Sequence, residues 1–170
     1  GIINQEVAAA DRIITNLLAV ARAKEPVKQH VDLGQTILEA LAGTGQAEAV
    51  RLRMSLAPDP FMVRADPDQL RQVFRNLVTN AAEALSNGGE IVVEAARDAD
   101  GDSIVLRDTG PGVTQEVRES LFEPLVTTKA RGIGLGLTIC RQIIEHHGGS
   151  IELIDEGKPG AAFRIRLPRQ

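Results

Sequence analysis

The chain has 170 residues, 43% apolar and 25% charged, enough for one compact domain with an appended element. Its net charge of −4 includes no basic block, which argues against a nucleic-acid-binding face, and no apolar run reaches membrane-spanning length. With no Trp, no Tyr and four Phe the core has to be aliphatic, and the single Cys140 reads as a buried thiol, the expectation for a cytoplasmic protein. Nothing resembles a signal peptide, and a first residue of Gly rather than Met gives the expectation of a fragment.

Residues 2–23 read as one helix. Ile3, Val7, Ala10, Ile14, Leu17 and Ala21 form a heptad seam on a helix about 33 Å long, which is expected to pair with another helix in a bundle or dimer. Pro26 ends it. Asp32 then caps a short helix to about Ala42, with Gln35 as capping-box partner and Gly43 and Gly45 as the stop. Val50, Leu52, Met54 and Leu56 alternate with Arg51, Arg53 and Ser55, the pattern of a half-buried strand, and a second short strand, "FMVRA", follows. The strongest helix signal is "ADPDQLRQVFRNLVTNAAEALSNGG": Asp66 as N-cap, Pro67 in the first position, Gln69 to complete the box, Gly88 and Gly89 at the end. A hairpin of "EIVVEAA" and "SIVLRD" comes next, then a short acidic helix from about Thr114 to Phe122 and the loop "EPLVTTKARGIG". The helix "LGLTICRQIIEHHGG" and the strands "SIELID" and "AAFRIRL" close the chain.

The late strands show one apolar face (Ile91, Val93, Ala95, Ile104, Leu106, Ile151, Leu153, Phe163, Ile165, Leu167) and one charged face (Glu94, Arg107, Glu152, Arg164, Arg166). A sheet wet on one side is antiparallel or mixed with helices on the other. The expected fold class is therefore α/β (α+β): a two-layer sandwich with helices on one face, preceded by one N-terminal helix.

On the strong helix, Leu70, Val73, Phe74, Leu77, Ala81, Ala84 and Leu85 share one arc, while Gln72, Asn76, Asn80 and Glu83 share the opposite side. Asn is a poor helix former, so two of them one turn apart suggest a face turned toward something other than water. A carboxamide oxygen can ligate Mg²⁺ and its NH₂ can donate to a phosphate. The turn "DTGPG" ends a strand with Asp108, a possible acceptor for an exocyclic amine, followed by Gly110 and Gly112, which allow a backbone to approach a flat ring. The glycine run "KARGIGLGL" is neither a P-loop, since Lys129 precedes the glycines, nor a G-x-G-x-x-G fingerprint. The helix start beyond Gly134 still offers backbone N–H groups to an anion.

Together and in this order, these segments resemble the ATP-binding domain of sensor histidine kinases, the Bergerat fold shared with gyrase-like and chaperone ATPases. "RNLVTNAAEAL" resembles the N box, "DTGPG" the first glycine box, "LFEPLVTTK" the F box and "RGIGLGL" the second glycine box, over roughly residues 31–168. The short segment between F box and glycines resembles the lid of nitrogen-regulatory-type kinases. Residues 1–25 would then be the end of a dimerisation and phosphoacceptor hairpin, and 26–170 the ATP-binding domain. The resemblance implies ATP and Mg²⁺ as cofactors, with Asn80 and Asn76 at the metal and phosphates and Asp108 at adenine N6. It implies Gly110 and Gly112 around the base, Glu83 near the ligand, Thr127, Thr128 and Lys129 on the lid, and Gly132, Gly134, Leu135 and Gly136 along the triphosphate. Phe122 would anchor the lid. Ala84 stands where many members carry an aromatic against adenine, so ring stacking is not expected.

In the family's ATPases a glutamate one turn before the metal Asn serves as base toward water; here that position is Asn76, which cannot take a proton. Transfer to a histidine is therefore expected over hydrolysis, with Asn76, Asn80 and Lys129 as the catalytic set. The implied partners are the dimerisation and phosphoacceptor helices, a response-regulator receiver domain and a second copy in a homodimer, with no nucleic acid. An acceptor histidine of this family is followed by an acid and, a few residues on, by Pro. His30, His146 and His147 lack that context; His30 reads as a surface linker residue, and the pair as cations at a helix C-terminus. A serine kinase or ATPase on the same fold, or a non-catalytic nucleotide-sensing dimer module, remain the alternatives.

Overall fold

The computed structural model describes residues 24–44, 50–58, 60–127, 134–154 and 157–169. The predicted helix over 2–23, and Thr128, Lys129 and Gly132 of the glycine-rich loop, lie outside the described residues.

The first described element was not foreseen. Strand β1 (Gln29–Asp32) pairs antiparallel with β3 (Met62–Ala65) as a two-stranded ribbon, with His30 opposite Arg64 and Val31 opposite Val63. His30 is exposed as expected, but in a strand rather than a linker. Between them come α1 (Leu33–Ala42) and β2 (Val50–Ala57). Asp32 caps α1, its Oδ1 accepting from Gln35 N at 3.1 Å. The Gln35 side chain does not return to the cap; it donates to Glu39 Oε1 at 3.0 Å. Gly43 ends the helix with φ −71°, right-handed rather than the left-handed glycine stop.

Helix α2 (Pro67–Ala84) begins as predicted, with Asp66 accepting from Asp68 N and Gln69 N, and ends at Leu85, three residues before Gly88. Strands β4 (Gly89–Arg97) and β5 (Asp102–Asp108) form the expected hairpin. The acidic helix is much shorter than predicted: α3 covers only Gln115–Arg118, because Thr114 makes no side-chain cap and the chain beyond breaks into turns before Pro124. Helix α4 (Gly136–His146), β6 (Ser150–Ile154) and β7 (Ala162–Leu167) complete the described chain.

The main sheet has the order β2-β4-β5-β7-β6, with β2 parallel to β4 and the other pairs antiparallel. Ile91, Val93, Ile104, Leu106 and Ile165 from the sheet join Ile37, Phe74, Leu77, Cys140 and Ile144 from the helices in one buried core. That is the mixed, mostly antiparallel sandwich the alternation required. On the other face Glu152 faces Arg164 in register and their side chains pair at 3.3 Å. Arg107 corrects the simple picture of a wet face: it is 7% exposed, because it sits at the site end of the central strand β5, flanked by β4 and β7 and next to buried Asp108.

Candidate nucleotide-binding site

Helix α2 orders the site. Its apolar arc is buried at Leu70, Val73, Phe74, Leu77, Ala81 and Leu85. Ala84, expected on that arc, is exposed, because it lies one turn beyond Asn80 on the site side. Asn76 and Asn80 lie half-buried and Glu83 is exposed. Near one end of this face, Asn76 Nδ2 donates to Gly136 O at 3.1 Å, tying α2 to the first residue of α4. This amide also leaves the Asn76 oxygen as an acceptor. Leu135, at the cap position of α4, offers no side-chain cap, so the first N–H groups of the helix keep donor capacity that suits an anion. The side chain of Leu135, just before them, belongs to the core, which leaves only its backbone to meet a ligand.

Two turns along α2 the first glycine box arrives. A Cβ on Gly110 would stand 3.2 Å from Ala84 Cβ and 2.8 Å from Asp108 Oδ1, so only a glycine lets this backbone lie against the end of α2. Asp108 is 4% exposed. Its Oδ1 accepts from Gly110 N at 2.8 Å and Ala161 N at 3.3 Å, and among the described residues its second oxygen makes no hydrogen bond. Burial pushes the carboxyl above the ordinary aspartate range, against the opposing pull of those two amides and the Arg107 guanidinium. The wall behind Asp108 escaped the sequence reading. A side chain on Gly160 would collide with the Asp108 carbonyl, and Gly112 also backs onto Gly160. The signal was only a glycine before a strand, which a turn explains equally well.

From Asn76 to Ala84 the helix rises about 12 Å. Asn80 lies midway, so α2 lines up the start of α4, the two amides and the Asp108 turn along one side.

The base of the loop is also fixed. Leu125, exposed and at φ 67°, donates its N–H to Gly134 O at 2.9 Å, joining the ends of the segment that includes exposed Thr127. Gly134 has φ +71°, and a Cβ there would lie 2.5 Å from the Leu125 carbonyl carbon. Phe122 anchors this base, with its ring edge-on to Phe163 at 6.3 Å and Arg141 over its face at 5.1 Å. Thr138 Oγ1 donates to Phe122 O at 3.1 Å, a link to α4 that had no sequence signal. Cys140 is fully buried, its thiol donating to Val73 O at 3.7 Å, and burial pushes it up to about 12. Among the described residues no cluster of three His, Cys, Asp or Glu could hold a metal, and no helix is long and apolar enough to cross a membrane.

The model of the histidine kinase-, DNA gyrase B-, and HSP90-like ATPases matches residues 65–170. The chain is 35% identical over 162 residues to the sensor histidine kinase ZraS of Klebsiella oxytoca, covering 93% of this chain and 35% of that protein. It is 31% identical over 173 residues to sporulation kinase A of Bacillus subtilis (strain 168), covering 99% of this chain and 28% of the kinase. It thus spans about a third of the length of these curated relatives. Among solved structures, the histidine kinase ThkA in complex with the response regulator protein TrrA superposes with a TM-score of 0.81 at 26% identity, covering 99% of this chain and 50% of that one. With the family's model matched across the α2 face, the Asp108 turn and α4, this chain belongs to the histidine kinase-, DNA gyrase B-, and HSP90-like ATPases.

Proposed function

We propose that this chain is the catalytic, ATP-binding part of a two-component sensor histidine kinase, positioning ATP for transfer of its γ-phosphoryl group to a histidine on a helical hairpin. The observation that carries transfer over hydrolysis is Asn76. The position where hydrolytic members hold a glutamate base carries an amide bonded to Gly136 O. Glu83, the nearest other carboxylate on that face, is exposed and lies beyond Asn80. Phosphoryl transfer needs positioning and charge neutralisation more than covalent chemistry from the protein.

In this reading the adenine lies at the Ala84 end, its N6 amine donating to the open oxygen of Asp108, with Gly110 and Gly112 against the ring. The phosphates extend toward Asn76 and the start of α4, with Gly134, Leu135 and Gly136 offering backbone. Thr127, Thr128, Lys129 and Gly132 belong to the lid, and Lys129 brings positive charge to the phosphates. The donor set fits Mg²⁺ held mostly by phosphates and water, because Asn80 and Asn76 offer neutral oxygens and no described acidic cluster competes. The ion would offset phosphate charge. Glu83 borders the site. The acceptor hairpin, a second copy through residues 1–25, and a receiver domain are the partners, and the cytoplasm is the compartment.

The test is γ-labelled ATP with the chain alone, then with a separately supplied acceptor hairpin. Acid-labile label on the hairpin, absent with Asn80→Ala, is expected. Steady phosphate release without any acceptor, or an acid-stable label, would replace this reading with an ATPase or a serine kinase.

A further inference from the structure

The capping box at the start of α2 is only half closed. Asp66 Oδ1 accepts from Asp68 N at 3.0 Å and Gln69 N at 3.1 Å, as a cap should. The Gln69 amide does not return to the Asp66 N–H; it donates to Lys24 O at 3.2 Å. The Asp66 N–H donates instead to Nε2 of His147, 81 residues away, at 3.0 Å. The other ring nitrogen lies 2.7 Å from Ile143 O. A carbonyl only accepts and a backbone N–H only donates, so the ring is neutral, with its proton on Nδ1 and Nε2 bare. His147 is 2% exposed, which corrects the expectation of a cation at the helix end.

Two further bonds converge here. Val27 N donates to Asp66 Oδ2 at 3.0 Å, and Lys28 Nζ to His147 O at 3.4 Å. Residues 24–28, which lead into the domain, are thus fastened at one point to the start of α2 and the end of α4. At the opposite end of their contact the same two helices are joined by Asn76 and Gly136. The helices run antiparallel, stapled at both ends, with the entering chain caught in one of the staples.

We propose that neutral His147 is a positioning residue, a latch that makes the chain entering through residues 24–28 move as one body with the two helices that frame the nucleotide site. A displacement of the preceding segment then reaches Asn76, Asn80 and the start of α4 without being lost in a slack linker. An imidazolium would offer Asp66 N–H no acceptor and would open the latch. The charged groups facing the ring are Lys28 from the entering segment, Asp66 from the start of α2 and His146 on its own helix. Burial, the largest influence, acts with Lys28 and His146 against Asp66 and the Ile143 carbonyl, holding the imidazole below the ordinary histidine range and the latch closed at neutral pH.

The consequence for transfer rests on the kinase reading above; the latch itself does not. The 170-residue chain is compared with His147→Gln, which keeps an acceptor near the place of Nε2, and His147→Leu, which fills the space without one. Amide hydrogen exchange is read at residues 24–28 and in α2 and α4, nitrogen resonances of His147 are recorded at pH 7, and nucleotide affinity and transfer to a supplied hairpin are measured. Expected are the Nδ1–H tautomer and exchange at Val27 about tenfold or more faster in His147→Leu, with α2 and α4 still protected. His147→Gln should stay close to the wild type, and His147→Leu should transfer more slowly at unchanged nucleotide affinity. Unchanged protection at 24–28 in His147→Leu, loss spread evenly over the fold, or an Nε2–H tautomer would overturn the latch. A loosened segment with an unchanged transfer rate would overturn the coupling. A wild type that transfers nothing, while His147→Leu still shows the loosening, leaves the latch standing and removes the kinase reading instead.

Discussion

Asp108→Asn should move ligand binding and folding stability in opposite directions. In the wild type, Oδ1 accepts from two backbone donors, Gly110 N at 2.8 Å and Ala161 N at 3.3 Å. Those donors cannot reverse, so an amide placed there must turn its oxygen to them and its NH₂ to where the open oxygen stood. An adenine amine would then meet a donor rather than a charged acceptor. Losing one charge-assisted hydrogen bond costs about 1.5–3 kcal/mol, or about 10- to 150-fold in affinity. Guanine presents an acceptor oxygen at the corresponding place, so the preference for adenine should narrow or reverse. Stability follows the other sign. Burial raises the Asp108 carboxyl above the ordinary value of 3.8, even with Arg107 and the two amides opposing it. A group that holds its proton more tightly folded than unfolded contributes less stability as pH rises through the window from 3.8 to its raised value. The neutral amide is spared that loss. The variant should therefore gain on the wild type between acid and pH 7, with the difference vanishing once both side chains are uncharged. Calorimetric titration with non-hydrolysable ATP and GTP analogues, beside urea unfolding from pH 4 to 8, reads both effects. Adenine affinity unchanged within about twofold, or binding and stability at pH 7 falling together, would refute the argument.

Asn80→Ala should weaken binding of ATP with Mg²⁺ by about tenfold or more; with the metal chelated, wild type and variant should bind alike by the same titration. Gly134→Ala forces a side chain into φ +71° and to 2.5 Å from the Leu125 carbonyl carbon, so nucleotide affinity should fall while the midpoint of urea unfolding moves little. Equal losses in both would mean that the loop base is part of the core. Cys140, with its thiol pushed up to about 12, should react with a disulfide reagent at pH 8 about a thousandfold more slowly than a free thiol, and at full rate in urea. Fast native labelling would contradict its burial.

The parts of the molecule legible in the sequence are those whose signal is local. The layers followed from alternation in residues 91–106 and 151–167, because a strand with one buried face has to write its pleat into its side chains. Asn76 and Asn80 stood out because they are costly choices in a helix, and the capping residues Asp32 and Asp66 because a cap acts within three residues. What stayed hidden depends on distant partners. The ribbon strand β1 has four residues, with Val31 its one aliphatic position. His147 reads as an ordinary end-of-helix histidine until Asp66 arrives from 81 residues away. Arg107 obeys the alternation and is buried all the same, since burial at the end of a central strand is decided by neighbours on both sides. Asp108 was read from its turn, which supplies Gly110 N to the carboxylate, yet the second donor, Ala161 N, and the close wall at Gly160 come from across the sheet.

Those hidden contacts also give the site a direction. The described wall carries one buried carboxylate, Asp108, and it lies beside Gly110 at the Ala84 end of α2. About 12 Å away along the helix are the Asn76 amide and the uncapped start of α4, a place of partial positive charge. Glu83 between them is exposed, so water screens it. A nucleotide entering base-first toward Asn76 would bring its phosphates against Asp108. At 4 Å and an effective dielectric near 20, each such charge pair repels by about 4 kcal/mol, more than the about 1.5–3 kcal/mol that one charge-assisted hydrogen bond returns. On the proposed reading the buried acid would then do more than receive an amine: by its position at one end of α2 it would exclude the reversed ligand and leave the γ-phosphate where α2 and α4 meet.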